Sequence, residues 1–158
     1  MSLTINTMIN GKSVSATAEP YVSLLEFLRD TLEMKGSKLC CNTGECGACT
    51  IIYNGKPINS CVTLAADADG AEIVTIEGLA DGDKLHPVQQ AFIDTGAVQC
   101  GYCTPGFIIS VKMLLDRTTK PTSEDIEEAV SGNICRCTGY NKIVDAIHLA
   151  ADRIAGRA

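Results

Sequence analysis

Residues 40–50 read CCNTGECGACT and place four cysteines within eleven residues. Three of them, Cys41, Cys46 and Cys49, have the spacing C-x4-C-x2-C, and eleven further residues separate Cys49 from Cys61. This spacing is typical of plant-type [2Fe–2S] proteins, in which the fourth cysteine comes from further along the chain. The first half of the sequence therefore predicts one site of four thiolates.

The residues between these cysteines are small. Gly44, Gly47 and Ala48 allow the backbone to wrap tightly around a bulky anion, and the two glycines can adopt a positive φ. In that conformation, successive backbone N–H groups turn toward the sulfur atoms. Such donors stabilise the reduced form of a cluster, which carries more negative charge.

A second set of four cysteines lies in the other half of the chain, in the runs QCGYCTPGFI and GNICRCTGY. Cys100 and Cys103 precede a predicted helix with Thr104 as N-cap, and Cys135 and Cys137 precede the predicted last helix. The partial positive charge of two helix N-termini suits an anionic cluster of four thiolates, two ferric ions and two sulfides. The sequence thus predicts two sites, one in each half.

Spacing alone leaves other uses of clustered thiols open. Structural zinc also takes four cysteines, although zinc sites prefer paired C-x2-4-C knuckles, which the first set matches poorly. Redox catalysis is a weaker alternative, because the C-x-x-C of the second set does not lie beside a βαβ pattern. Disulfides are disfavoured by the odd number of nine cysteines and by an N-terminus without an export signal. Iron–sulfur chemistry is favoured for the first set, and zinc stays open for the second.

Composition argues against several classes of partner. The 13 basic and 19 acidic residues give a net charge of −6, without a Lys/Arg cluster that could follow a phosphate backbone, so nucleic acid is not an expected partner. No apolar run approaches the roughly 20 residues that a membrane span needs. We therefore predict a soluble, cytoplasmic protein, in a compartment where thiols stay reduced.

The first half of the chain predicts a small sheet with one helix. Alternation of apolar and polar residues and two Asn-Gly turns, at Asn10 and Asn54, indicate hairpins. Ser23 and Glu26 predict a capping box for a helix that reaches Leu32 and lies across the sheet. The predicted strands cover residues 3–9, 12–18, 50–53, 56–57 and 72–76.

The second half predicts helices. A Gly/Asp-rich break, GLADGDK at residues 78–84, ends the strand-forming half. Four helices follow, one of them apolar on nearly all sides over residues 107–115 and therefore buried, and the last with an apolar face that includes Ile154. We expect an α+β protein of two domains, residues 1–78 and residues 79–158, the second a small bundle of four helices.

The runs CNTGECGACT, QCGYCTPGFI and GNICRCTGY, in this order and separation, resemble the iron–sulfur subunit or domain of the molybdenum hydroxylases, the xanthine dehydrogenase and aldehyde oxidoreductase family. The resemblance covers nearly the whole chain. It implies a β-grasp, plant-type ferredoxin-like domain followed by a four-helix-bundle domain, each with one [2Fe–2S] cluster. The implied ligands are Cys41, Cys46, Cys49 and Cys61 for the first cluster, and Cys100, Cys103, Cys135 and Cys137 for the second.

The resemblance also implies a role in a larger enzyme. The chain would carry electrons from a molybdopterin centre in a large partner subunit to FAD in a medium subunit, or to an external acceptor, during substrate hydroxylation. In the family, the residues that match Gln99 and Cys137 approach the pterin. The chain itself has no credible general base and no dinucleotide-binding loop, so we expect it to act as one subunit of an oxidoreductase. A diffusible two-cluster ferredoxin and a zinc-stapled interaction module are the alternatives.

Cys40 departs from the family pattern, which usually has glycine at this position. With Cys40 as the ligand, the spacing to Cys46 would be C-x5-C, whereas with Cys41 it is the expected C-x4-C. We therefore predict Cys41 as the ligand. Cys40 is then a free thiol, either packed as a small hydrophobe or sensitive to oxidation.

Overall fold

The structure, a computed structural model, describes residues 2–157. Its first half contains a sheet of five strands, β1 (Leu3–Ile9), β2 (Lys12–Ala18), β3 (Thr50–Tyr53), β4 (Lys56–Asn59) and β5 (Glu72–Val74). Their order across the sheet is β2-β1-β5-β3-β4, and β5 runs parallel to β1 and antiparallel to β3. The strand that comes last in the sequence is therefore the central strand.

The two predicted Asn-Gly turns are confirmed. Asn10 and Gly11 have φ values of 51° and 75°, and Asn54 and Gly55 have φ values of 46° and 76°. Two consecutive positive φ values form the kind of turn whose twist matches that of the flanking strands. This geometry supports the antiparallel pairing of β1 with β2 and of β3 with β4.

The helix that packs against the sheet begins as predicted but ends earlier. The Ser23 hydroxyl accepts a hydrogen bond from the Glu26 N–H, and the Glu26 carboxylate accepts one from the Ser23 N–H, which is the predicted capping box. The helix α1 (Leu24–Glu26) continues as a π-helical turn (Phe27–Thr31) and ends before Leu32. The helix contributes to the hydrophobic core beside the sheet.

Four helices follow in the second half of the described chain: α2 (Pro87–Asp94), α3 (Thr104–Arg117), α4 (Ser123–Val130) and α5 (Asn141–Ile154). Most of α3 is buried, as predicted. Its N-cap is Cys103, so Thr104 is the first helical residue and not the cap. The last helix starts later than predicted, because Tyr140 has a left-handed backbone with a φ of 69°. At its other end, Ile154, which the sequence places on the apolar face of this helix, is 38% exposed, whereas Ile143, Ile147, Ala150 and Ala151 on that face are buried.

Each half has its own main hydrophobic core, one between the sheet and α1 and one among the four later helices. In the helical half, α2 packs mainly against α5, and α3 packs against α4. The buried helix α3 also contacts β3 and β4, so the two halves touch directly. No helix within residues 2–157 is long and apolar enough to cross a membrane.

Candidate metal centres

The first cysteine set is built around the hairpin of β3 and β4. Cys49 directly precedes β3, and Cys61 lies in the 3-10 turn (Ser60–Val62) that follows β4. Because the two strands are antiparallel neighbours, these ends lie together. The hydroxyl of Ser60 donates to the Cys49 carbonyl at 2.8 Å. Both cysteines are buried and form a small hydrophobic cluster with Leu25.

Backbone N–H groups point at the sulfur of Cys41. The N–H groups of Thr43 and Cys46 each donate to its Sγ at 3.4 Å. Asn42 and Gly44 have φ values of 59° and 81°, as expected for a loop that turns its N–H groups inward. Hydrogen bonds from the Thr43 side chain and backbone, followed by those from Cys46, lower the pKa of the Cys41 thiol to about 5. The loop therefore favours the thiolate form of Cys41.

Cys61, in the 3-10 turn after β4, behaves in the opposite way. Burial and a hydrogen bond with the Cys49 thiol raise the pKa of Cys61 to about 11, against a smaller opposing effect of the Gly44 N–H. The thiols of Cys49 and Cys61 are thus in contact with each other. The first site therefore stabilises the thiolate form of Cys41, whereas the thiol of Cys61 retains its proton at neutral pH.

The second cysteine set is assembled from two separate segments. Cys100 and Cys103 lie immediately before α3, and Cys135 and Cys137 lie in the turn between α4 and α5. The Sγ atoms of Cys100 and Cys137 are 3.6 Å apart. The thiols of Cys103 and Cys135 also lie close enough for each to shift the pKa of the other. The four thiols form two pairs, and each pair joins one segment to the other.

Hydrogen bonds shape the segment around Cys135. The hydroxyl and the N–H of Thr138 donate to its Sγ at 3.1 and 3.4 Å. Burial opposes ionisation of Cys135, but these bonds outweigh it and lower the pKa of the thiol. The N–H of Cys135 donates to the Tyr140 hydroxyl at 3.0 Å. Sequence reasoning missed Thr138, although its position three residues after Cys135 was a usable signal.

The partner thiol, Cys103, lies deeper in the protein. Burial, followed by its hydrogen bond with Cys135, raises the pKa of Cys103 to about 12. At the outer pair, the hydrogen bond with Cys100 raises the pKa of Cys137. The Cys135 end of this site therefore favours a thiolate through hydrogen bonds from its own chain segment.

Three hydrogen bonds connect the first cysteine loop to the two segments of the second set. They run from the Ile134 N–H to the Cys46 carbonyl at 3.0 Å, from Asn133 Nδ2 to the Gly47 carbonyl at 3.1 Å, and from the Tyr102 hydroxyl to the Leu39 carbonyl. Sequence reasoning did not find these contacts, because each joins residues far apart in the chain. They place the two cysteine sites directly beside each other.

A cavity of about 190 Å³ lies where the two sets meet. All four cysteines of the second set line it, and Cys40 and Cys46 reach it from the first loop. Cys40 is exposed, so the thiol is not packed as a small hydrophobe. Gln99 and Cys137, the residues expected to face a pterin, both lie at the surface.

Among residues 2–157, no group of three or more His, Cys, Asp or Glu side chains is arranged to hold a single metal ion. The predicted ligands of the second set are instead gathered as two pairs of thiols. In the first set, Cys49 lies beside Cys61, and the Cys46 backbone N–H donates to Cys41 Sγ. Sulfur pairs backed by backbone donors are a donor set suited to a cluster with two metal ions and an overall negative charge.

Comparison with known proteins finds two iron–sulfur domain families in this chain. Residues 7–79 match the 2Fe-2S iron-sulfur cluster binding domain, and residues 75–148 match a second family, the [2Fe-2S] binding domain. Over 153 residues, the chain is 49% identical to the nicotinate dehydrogenase small FeS subunit of Eubacterium barkeri, with 97% of this chain and 98% of that subunit covered. It is 46% identical over 136 residues to a probable xanthine dehydrogenase subunit of Bacillus subtilis, with 86% of this chain and 78% of the relative covered.

The chain belongs to the iron–sulfur subunits of the xanthine dehydrogenase and aldehyde oxidoreductase family. Among solved structures of this family, the aldehyde oxidoreductase from Desulfovibrio desulfuricans superimposes with a TM-score of 0.93 at 41% identity. That match covers 98% of this chain but only 17% of the aldehyde oxidoreductase chain. The predicted family, with its [2Fe–2S] domains and its place in oxidoreductase complexes, is confirmed.

Proposed function

We propose that this chain is the electron-transfer subunit of a molybdenum-dependent dehydrogenase or hydroxylase. A bound [2Fe–2S] cluster accepts and releases one electron at a time, so two clusters in one chain form a relay. The chain's own residues would bind the clusters, tune their charge through N–H donors and set their spacing. The ligands would be Cys41, Cys46, Cys49 and Cys61 for the first cluster, and Cys100, Cys103, Cys135 and Cys137 for the second.

The pairing of the thiols is the observation that carries this proposal. A [2Fe–2S] cluster is bound by four thiolates, two on each iron. In the second set, Cys100 pairs with Cys137, their Sγ atoms 3.6 Å apart, and Cys103 pairs with Cys135. A structural zinc ion would instead need four sulfurs around one centre, each at about 2.3 Å. Two pairs that span two segments fit the two-iron arrangement better.

The first set supports the same assignment. Cys49 and Cys61 form its inner pair, and Cys41 and Cys46 its outer pair, joined by the N–H of Cys46 that donates to Cys41 Sγ at 3.4 Å. Loop N–H groups lower the pKa of Cys41, whereas a hydrogen bond with Cys46 raises the pKa of Cys40. Because a ligand must be a thiolate, these directions favour Cys41 over Cys40.

The surface around the second site supports a large partner subunit. Gln99 and Cys137 are exposed there, and the apolar side chains of Tyr102 and Ile134 are 46% and 56% exposed beside them. We place a molybdopterin-binding subunit on this side. The chain spans only 17% of the length of the aldehyde oxidoreductase chain, and we propose that the catalytic part of the enzyme lies in a partner subunit. Electrons would pass from it through the second site and then the first, to FAD in a medium subunit or to an external acceptor.

The finer fold assignment is part of the same proposal. Residues 1–78 would form the β-grasp ferredoxin-like domain and residues 79–158 the four-helix-bundle domain, which the two separate main cores support. We propose the cytoplasm as the location, because the proposed ligands must be thiolates and a reducing compartment keeps thiols out of disulfides.

Metal analysis of the anaerobically purified protein, with EPR after dithionite reduction, tests the proposal. We expect about four irons and four sulfides per chain and two distinguishable signals, because each cluster contains two of each atom. Zinc in place of iron, without an EPR signal, would contradict electron transfer. Purification of the intact complex tests the partner, and a complex without a molybdopterin-binding chain would contradict that part.

A further inference from the structure

Asn133 is a buried polar residue between the two cysteine sites, with 4% of its surface exposed. Its Nδ2 donates to the Gly47 carbonyl at 3.1 Å, and its Oδ1 accepts from the Ser110 hydroxyl at 2.7 Å. Its backbone N–H donates to the Val130 carbonyl at 2.9 Å. The residue therefore joins the first cysteine loop, the buried helix α3 and the turn after α4.

The backbone of Gly47 is held by contacts that leave no room for a side chain. A Cβ added to Gly47 would lie 2.2 Å from the Gly132 carbonyl oxygen and 2.4 Å from Asn133 Nδ2. On the other side, a Cβ added to Gly106 would lie 2.0 Å from the Gly47 carbonyl oxygen. Because close-packed backbone yields little, these contacts fix the distance between the first loop and α3.

The contact between Asn133 and Gly47 lies next to proposed cluster ligands in both chain segments. Cys46 precedes Gly47, and its carbonyl accepts a hydrogen bond from the Ile134 N–H at 3.0 Å. Ile134 is bonded to Cys135, a ligand of the second proposed cluster. One hydrogen bond and a few covalent bonds therefore connect a ligand of the first site to a ligand of the second.

We propose that Asn133 is a positioning residue for electron transfer between the two cluster sites. By holding the Gly47 carbonyl against α3, its amide keeps the bond between Cys46 and Ile134 formed and fixes the spacing of the sites. Ser110 orients the amide so that Nδ2, and not Oδ1, faces Gly47. The inference rests on the proposed function, since it requires a cluster in each site.

The variant Asn133→Asp keeps the shape of the side chain, removes the amide donor and, in the ionised form, adds one negative charge. The carboxylate still accepts from Ser110, but an oxygen then faces the Gly47 carbonyl, so an attractive contact becomes repulsive. Asn59→Asp is the matched control, because Asn59 Nδ2 donates to the Gly44 carbonyl at 2.6 Å within the first half alone. It makes the same chemical change at the end of β4, on a donor to the same loop, without touching the contact between the sites.

The readouts are iron content, the magnetic interaction between the two reduced clusters in EPR, and the rate of electron redistribution between them after rapid reduction. We expect Asn133→Asp to keep its iron, to show a clearly smaller magnetic splitting and to redistribute electrons severalfold more slowly. Asn59→Asp is expected to keep the splitting of the wild type. Full iron content with an unchanged splitting and rate in Asn133→Asp would overturn the inference.

Ser110→Ala is the second test variant, to be measured if Asn133→Asp does not retain its clusters. It removes the hydroxyl that orients the amide and leaves Asn133 in place, so a smaller splitting with full iron content supports the inference and an unchanged splitting overturns it. Loss of iron from both variants also overturns it, because the residues would then govern cluster assembly and not spacing.

Wild-type protein with two clusters but no magnetic interaction would overturn this inference alone, whereas wild-type protein without two clusters would refute the proposed function.

Discussion

The first cysteine site is mostly local in sequence, whereas the second depends on the packing of helices. Residues 41–49 supply three cysteines of the first set, and loop N–H groups already point at one of them. The second set draws its pairs from Cys100 and Cys103 on one side and Cys135 and Cys137 on the other, with residues 104–134 between them. Its geometry therefore depends on how α3, α4 and α5 pack. Two sites with the same four cysteine donors can therefore differ in how strongly their geometry depends on the packing of the rest of the chain.

The sites also differ in exposure. In the first set, Cys49 and Cys61 are buried beneath the hairpin, with 3% and 8% exposure. In the second, Cys100 and Cys137 are exposed and Cys135 is buried. The second site thus reaches the surface with one of its thiol pairs, which fits its proposed place against a partner subunit.

The largest expected effect on stability comes from creating a cavity in the hydrophobic core of the helical half. Phe107 is fully buried in α3, and its ring meets Tyr140 edge-on at 6.0 Å between centroids. Phe107→Ala should lower the free energy of unfolding by about 3–5 kcal/mol. We expect iron to be lost from the second site while the EPR signal of the first persists.

Phe27→Ala provides the matching change in the core beside the sheet, where Phe27 is also fully buried. It should reverse the pattern, with the first signal lost and the second retained. Chemical denaturation and EPR on both variants check this pair. Equal loss of both signals in both variants would show that the halves do not fold separately.

Replacing single thiols sharpens the comparison within the first site. Cys41→Ser should remove the first cluster and about half of the bound iron, because it leaves three thiolates where a cluster needs four. Cys40→Ser should leave iron content unchanged, since Cys40 is exposed and outside the proposed ligand set. Iron analysis and EPR decide the result. Retention of the cluster in Cys41→Ser, combined with its loss in Cys40→Ser, would assign the ligand to Cys40.

A smaller effect on stability is expected from adding a side chain at Gly47, where the two sites are in contact. Gly47 and Gly55 both have positive φ values, 69° and 76°, but a Cβ on Gly55 would meet nothing within 4 Å. Gly55→Ala therefore measures backbone strain alone, about 1–2 kcal/mol. Gly47→Ala adds a clash with the Gly132 carbonyl and should cost about 1–3 kcal/mol more. Thermal and chemical unfolding of both variants provide the test, and equal losses would show that the contact can relax.

The smallest expected effect is a change in acidity at the first site. In the metal-free protein at pH 7, Cys41, with a pKa of about 5, should react rapidly with iodoacetamide, whereas Cys61 and Cys103, at about 11 and 12, should not. Thr43→Val removes the hydroxyl that lowers the pKa of Cys41 most, and it also removes the donor to Glu45 Oε2 at 3.0 Å. Its labelling at pH 6 should therefore slow, as mass spectrometry can measure.

The sign of the pH dependence follows from the same shift. The folded-state pKa of Cys41 lies below its ordinary value of 9.0, so its contribution to stability is fully present above pH 9 and is lost as the pH falls toward about 5. Wild type and Thr43→Val should therefore differ in stability at high pH and converge below pH 5. A difference that grows on acidification would contradict this assignment.

Much of the fold could be predicted from local signals. Asn10-Gly11 and Asn54-Gly55 fix two hairpins through their own backbone preferences, and the capping box of Ser23 and Glu26 marks a helix start. The spacing of Cys41, Cys46 and Cys49 predicted an iron–sulfur site from a local pattern. For the second set, spacing alone left zinc open, and the ligand assignment came from the family resemblance. Both ligand sets stay predictions.

The features that sequence reasoning missed depend on contacts between distant residues. The short strand β5 lies in the middle of the sheet because it pairs with both β1 and β3, which no local pattern encodes. Tyr140 adopts a left-handed backbone as its hydroxyl accepts from the Cys135 N–H, and this delays the start of α5. Asn133 acts on Gly47 across 86 positions of sequence, so its role is visible only in the folded chain.

The central position of β5 determines the order in which a nascent chain can assemble the first site. Both hairpins, and all four cysteines of the first set, leave the ribosome before Glu72–Val74. Isolated hairpins are at best marginally stable in water, so the sheet forms only when β5 emerges and joins them. Residues 100–137 follow later, and domains fold in the order of their synthesis. Iron delivery to the two sites can therefore be sequential, the hairpin site first and the helical site after it.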